Sequence, residues 1–113
     1  MRQTVFLDTS YLIALIRKKD GRHSDALAAV SICTGHFVTT DLVLVELANS
    51  LSLPPNRAVV ISAIERIRTD AATTIIPFNS EGMERALALF KSSHDKSWGL
   101  VDCFSFVVIK EKR

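Results

Sequence analysis

At 113 residues, 48% of them hydrophobic and 23% charged, the chain has enough material for one domain with a buried core and too little for two. That balance, with only four Gly and three Pro, excludes the disordered and collagen-like classes. The formal net charge of +2 neither identifies nor excludes a polyanionic partner, because a cationic face and an acidic pocket cancel in the sum.

In chain order, Val5-Phe6-Leu7 has the pattern of a short buried strand, and Asp8-Thr9-Ser10 then offers capping side chains to a helix predicted from Tyr11 to Lys19. Asp20-Gly21 closes it. A second helix is expected from His23 to about Thr34, where Ala26, Leu27 and Val30 recur at helical spacing before Gly35 breaks the pattern. Phe37 to Thr40 is short and β-prone, and either Thr40 or Asp41 can cap a helix from Leu42 to about Ser52 that Pro54-Pro55 stops.

Arg57 to about Asp70 carries Val60, Ile61, Ile64 and Ile67 on one helical face, and Thr73 to Pro77 resembles another short buried strand. Asn79 or Ser80 starts a helix with Met83, Ala86, Leu87 and Phe90 on one stripe. A polar loop from Ser92 to Trp98 leads to a last apolar helix from Leu100 to Ile109. Short strands alternating with helices imply an α/β fold with a parallel sheet.

No leader or membrane segment is expected, since the longest later apolar run, Tyr11 to Ile16, is far short of the ~20 residues a span requires. Cys33 and Cys103 lie in apolar stretches without metal-ligand spacing, which reads as reduced core thiols and a cytoplasmic location. His23, His36 and His94 show no metal-ligand spacing either.

Three acids stand out. Asp8 sits at the end of the first strand, where ligands of α/β sheets gather. Glu46 and Asp102 each interrupt an otherwise apolar helical stretch, where a carboxylate pays for desolvation unless a cation compensates. If the three converge, their mutual repulsion calls for a hard divalent ion such as Mg²⁺ or Mn²⁺. Singly, each is more simply a helix cap or a solvated charge, and spacing does not show that they meet.

The surrounding segments resemble three successive motifs of the PIN-domain family: FLDTSYLIAL (Phe6 to Leu15), VTTDLVLVELANSL (Val38 to Leu51) and DKSWGLVDCFSFVV (Asp95 to Val108). The similarity is closest to the compact VapC-like toxins of toxin–antitoxin pairs. It implies a three-layer α/β fold with a short parallel sheet flanked by helices, and hydrolysis of RNA phosphodiesters. It also implies Asp8, Glu46 and Asp102 as metal-holding catalytic acids with Mg²⁺ or Mn²⁺, an antitoxin as protein partner, and a homodimer as an assembly open to it. Thr9, Ser10 and Ser105 are candidates for hydrogen bonds to those acids, although capping or packing explains each as well.

One departure matters. The family continues past the Asp102 helix into a strand whose end supplies a fourth acid or Asn, then a short terminal strand, and this sequence ends at Arg113 with neither. The expectation is therefore one PIN-like domain over 1–113, C-terminally incomplete and lacking its last one or two strands, with an open edge on the first strand and impaired catalysis. The alternative is a non-catalytic PIN-like module that binds an antitoxin or self-associates.

Among other residues, Arg17, Lys18, Lys19 and Arg22 suit phosphate contact or, equally, the C-terminal dipole of the first helix. Trp98 suits base stacking less well than core packing. Asp95 beside Lys96 is a reserve acid in a polar loop. Haloacid-dehalogenase-like phosphatases resemble the opening, but they want a second Asp where this chain has Ser10.

Overall fold

A computed structural model describes residues 4–32 and 35–111. Strands β1 (Thr4–Phe6), β2 (His36–Thr40) and β3 (Thr73–Ile76) form one parallel sheet in the order β1-β2-β3. Val5 pairs with Phe37 and Phe6 with Val38, while Val38 pairs with Thr74 and Thr40 with Ile76. Leu7, just past β1, continues the ladder by donating its N–H to the Val38 carbonyl at 2.8 Å.

Helices α1 (Thr9–Ile16) and α2 (His23–Ile32) link β1 to β2, and α3 (Asp41–Ser50) and α4 (Asn56–Thr69) link β2 to β3. Two successive right-handed crossovers in sequential strand order must lie on the same face. The last two helices, α5 (Ser80–Ser92) and α6 (Leu100–Glu111), then take the other.

The packing follows that logic. Leu7, Leu12, Val43, Leu47, Leu51 and Val60 form a buried cluster beneath α1, α3 and α4, with Val5 and Phe37 packed against it. Val38, Ala86, Cys103, Phe104 and Val108 form a second one beneath α5 and α6, with Ile76 packed against it. Phe37 and Val38 thus feed opposite faces, as the period of two in a strand requires. The α/β three-layer architecture expected from the sequence is the one observed.

Several local expectations shift. Helix α1 ends at Ile16, closed by the Arg17 N–H on the Ile13 carbonyl at 2.8 Å. Arg17 then takes extended backbone angles, so Arg17, Lys18 and Lys19 lie beyond the helix and no basic residue occupies its last turn. Thr40, not Asp41, is the N-cap of α3, its hydroxyl accepting the Val43 N–H at 3.1 Å. Ile61 is half exposed while Val60 is buried, because residues 60, 64 and 67 share a stripe that residue 61 leaves by about 100°.

Helix α5 departs furthest. Of the expected stripe only Ala86 is buried, together with Gly82, while Met83, Leu87 and Phe90 are each roughly 40% exposed. Small residues face inward because α5 lies close against α6: the ring of Phe104 covers Gly82 so tightly that a Cβ there would stand 2.8 Å from its Cε1. An ion pair between Arg85 and Glu111 ties the same two helices.

Cys103 is buried and free, as expected of a core thiol. Cys33, the end of the second predicted helix at Thr34 and the side chain of Val30 lie outside the described residues. Among the described residues no helix is long and apolar enough to cross a membrane.

Candidate active site

Asp8 follows the carboxyl end of β1 and is the N-cap of α1, one carboxylate oxygen accepting the Tyr11 N–H at 2.7 Å. The strand delivers the residue to the sheet edge, and the cap bond fixes its rotamer there. The side chain is exposed.

Glu46 lies in the second turn of α3, half-buried between the buried residues Leu44 and Leu47. Because α3 starts directly after β2, this turn is close to the same carboxyl edge of the sheet. The helix packs against both α1 and α6.

Asp102 occupies the first turn of α6, where a carboxylate favours the helix dipole. Its Oδ2 accepts the Gly99 N–H at 3.0 Å, the returning half of a capping box. Asp102 is exposed. The desolvation expected from the apolar neighbours of Asp102 is absent because those neighbours face inward and the carboxylate faces out.

A shared anchor relates the three. Leu7, Leu47 and Val101, each the chain neighbour of one acid, all pack in the cluster beneath α1, α3 and α4. The chain neighbours of the acids thus touch one region of core, while the acids themselves assemble no ligand set. Among the described residues no group of three or more His, Cys, Asp or Glu side chains is arranged to hold a metal ion. As arranged, the three carboxylates do not converge on one point.

Of the accompanying hydroxyl residues, Thr9 is half-buried in the first turn of α1, Ser10 is exposed and lines a cavity beside Asp8, and Ser105 is buried among Cys103, Phe104 and Val108. Thr39 and Asp41 did not stand out in the sequence as site residues. The fully buried Thr39 donates its hydroxyl to the Leu7 carbonyl at 2.8 Å, fixing the residue before Asp8. Asp41 accepts the Phe78 N–H at 3.3 Å, joining the starts of α3 and the β3–α5 loop at the same edge of the sheet. The only available signal was β-propensity and capping preference, which named them as strand and cap.

The remaining candidates are structural. Trp98 packs against the second cluster, edge-on to Phe106 with ring centroids 4.7 Å apart. Asp95 and Lys96 form an exposed pair at 3.9 Å. His23 contacts the Ala14 carbonyl through Nδ1 at 2.7 Å, and His36 contacts the Thr74 hydroxyl through Nε2 at 2.6 Å.

A family model described as "PIN domain" matches residues 5–113. The chain belongs to the PIN-domain family. Among solved structures, this PIN domain superposes on the sarcin–ricin-loop-cleaving toxin VapC20 of Mycobacterium tuberculosis with a TM-score of 0.88. Identity is 23%, over 96% of this chain and 82% of that one, a likeness that shows the fold. A search of curated proteins finds no match. With the PIN assignment, the family resemblance and the parallel sheet expected from it are both borne out.

Proposed function

We propose that this PIN domain is a VapC-like ribonuclease that hydrolyses RNA phosphodiester bonds, with Asp8, Glu46 and Asp102 as its catalytic acids. What carries the reading is the shared anchor: in a chain of the PIN family, three acids distant in sequence each stand next to a residue that belongs to one buried cluster or packs against it. Asp8 and the start of α3 follow on the carboxyl ends of β1 and β2, the usual ligand position in α/β folds.

A requirement for Mg²⁺ or Mn²⁺ comes from the family resemblance alone. When bound in such sites, these ions polarise the phosphate and activate water. Asp8 and Asp102 spend one oxygen each on a backbone N–H, which holds both carboxylates in place. The test is cleavage of structured RNA by the purified chain with Mg²⁺, with Mn²⁺ and with EDTA. A ribosomal hairpin of the sarcin–ricin type is the first substrate to try, given the activity named for VapC20. Metal-dependent cleavage supports the reading, and cleavage insensitive to EDTA removes the ion from it.

An antitoxin partner and self-association belong to the same reading. The exposed stripe of Met83, Leu87 and Phe90 along α5 favours a protein partner, since contiguous apolar surface marks interaction sites. A chain that bound such a partner without ever cleaving RNA would instead be the non-catalytic module.

A further inference from the structure

Asp8 also lines a cavity that reaches away from Glu46 and Asp102. Helices α1 and α2 are pinned side by side by two side-chain bonds, from the Tyr11 hydroxyl to the Ala26 carbonyl at 2.8 Å and between His23 Nδ1 and the Ala14 carbonyl at 2.7 Å. Between the start of α1 and the start of α2 they leave an open cavity of about 320 Å³. Its polar lining is Asp8, Ser10, Arg22 and Asp25.

Arg22 is the cation of that lining, and its side chain is 69% exposed. Asp20 is a counter-charge beside it. The Asp20 carboxylate accepts the Arg22 backbone N–H at 2.8 Å, and the same oxygen stands 3.9 Å from Nε. Asp20 is itself largely covered, at 18% exposure, so it is a fixed counter-charge. A guanidinium has five donors in a planar fork, and with Asp20 3.9 Å from Nε the terminal groups remain open to another oxyanion.

Asp25 narrows the choice of ligand. It sits in the first turn of α2, where the helix dipole favours it, and with Asp8 it gives the cavity two carboxylates against one guanidinium. A small free anion gains little in such mixed surroundings. A polymer that places one phosphate at Arg22 and uncharged sugar and base donors near the carboxylates fits better.

We propose that this cavity seats a nucleotide neighbouring the one cleaved, with Arg22 binding its backbone phosphate and Asp20 acting as the positioning residue for the guanidinium. The proposal rests on the ribonuclease reading and extends it to the strand's path: RNA runs from the edge at Asp8 along the groove between α1 and α2.

The test separates the two. Binding of a fluorescently labelled single-stranded oligoribonucleotide of mixed sequence is measured by anisotropy over a salt series with EDTA present, in the otherwise wild-type chain and with Arg22→Ala or Arg22→Lys. Loss of one phosphate contact should weaken binding about fivefold and flatten the slope of log K against log salt by about 0.7. Arg22→Lys should restore that slope, because it keeps the charge, while recovering only part of the affinity. In the otherwise wild-type chain, Arg22→Ala should raise KM and leave kcat within about twofold.

Unchanged affinity and salt slope in Arg22→Ala overturn the proposal whether or not the chain cleaves RNA. So does a slope that Arg22→Lys fails to restore, or displacement of the oligonucleotide by millimolar inorganic phosphate through Arg22. Reduced RNA affinity in Arg22→Ala, with no cleavage by the wild-type chain, keeps the phosphate site and removes the nuclease reading.

Discussion

The hydroxyl of Thr39 in β2 donates to the carbonyl of Leu7 at 2.8 Å, and both residues are buried. This bond crosses between neighbouring strands one residue before Asp8 and fixes the exit of β1. Thr39→Val keeps the shape and removes the donor, leaving a buried carbonyl with one partner fewer. A loss of about 1–2 kcal/mol is expected, read as a lower urea midpoint at unchanged m. An unchanged midpoint would mean that the Leu7 carbonyl does not depend on Thr39.

Gly82→Ala sets helix propensity against packing. Alanine is worth about 1 kcal/mol over glycine inside a helix. At this position the new Cβ meets Phe104 Cε1 at 2.8 Å and the Asn79 cap oxygen at 3.3 Å. Phe104 is buried and held edge-on by Phe78 at 4.8 Å between centroids, so the ring has little room to retreat. Overpacking of this kind costs about 1–3 kcal/mol, and the net change should be destabilising. A rise in Tm would show that α5 and α6 separate freely.

The two roles of Asp8 are separable by substitution. As the N-cap of α1 it holds the Tyr11 N–H, and Asn caps about as well as Asp, whereas Ala costs roughly 1 kcal/mol. Asp8→Asn should keep the wild-type melting temperature, and Asp8→Ala should lower it. Equal stabilities for the two variants would place the cap bond outside the stability of the fold.

The Cys103 thiol is pushed above its ordinary value of 9.0, first by burial and then by the neighbouring Asp102 carboxylate. A group whose pKa is raised on folding contributes stability that is complete below its unfolded value and is lost as pH rises through the folded one. Stability should therefore decline above pH 9.0, and Cys103→Ala should remove part of that decline while lowering stability at neutral pH. Identical alkaline profiles for the two chains would assign the decline to other groups.

Much of this fold is legible in the residues. The strand cores, the stop at Pro54-Pro55 and the cap at Asn79 follow from local chemistry, and the structure keeps them within a residue or two. The buried face of α5 does so only at Ala86, because periodicity weighs side-chain apolarity and also favours Met83, Leu87 and Phe90. Close approach to α6 selects smallness instead, at Gly82 and Ala86. For the acids, the motifs name Asp8, Glu46 and Asp102, yet their common anchor appears only when Leu7, Leu47 and Val101 are seen in one cluster. Thr39 was legible as a strand residue and illegible as the support of Leu7, since its partner lies 32 residues away in sequence.

The most direct measurement is the initial rate of RNA cleavage by the purified wild-type chain and by Asp8→Asn, side by side with Mn²⁺ and a structured ribosomal RNA, after both are shown to be equally folded. Cleavage by the wild-type chain, with the Asp8→Asn rate at or below about one hundredth of it, a loss near 2.7 kcal/mol of transition-state stabilisation, is the expected result. Equal rates, or no cleavage by the wild-type chain across RNA substrates and both metal ions, would contradict a ribonuclease centred on Asp8.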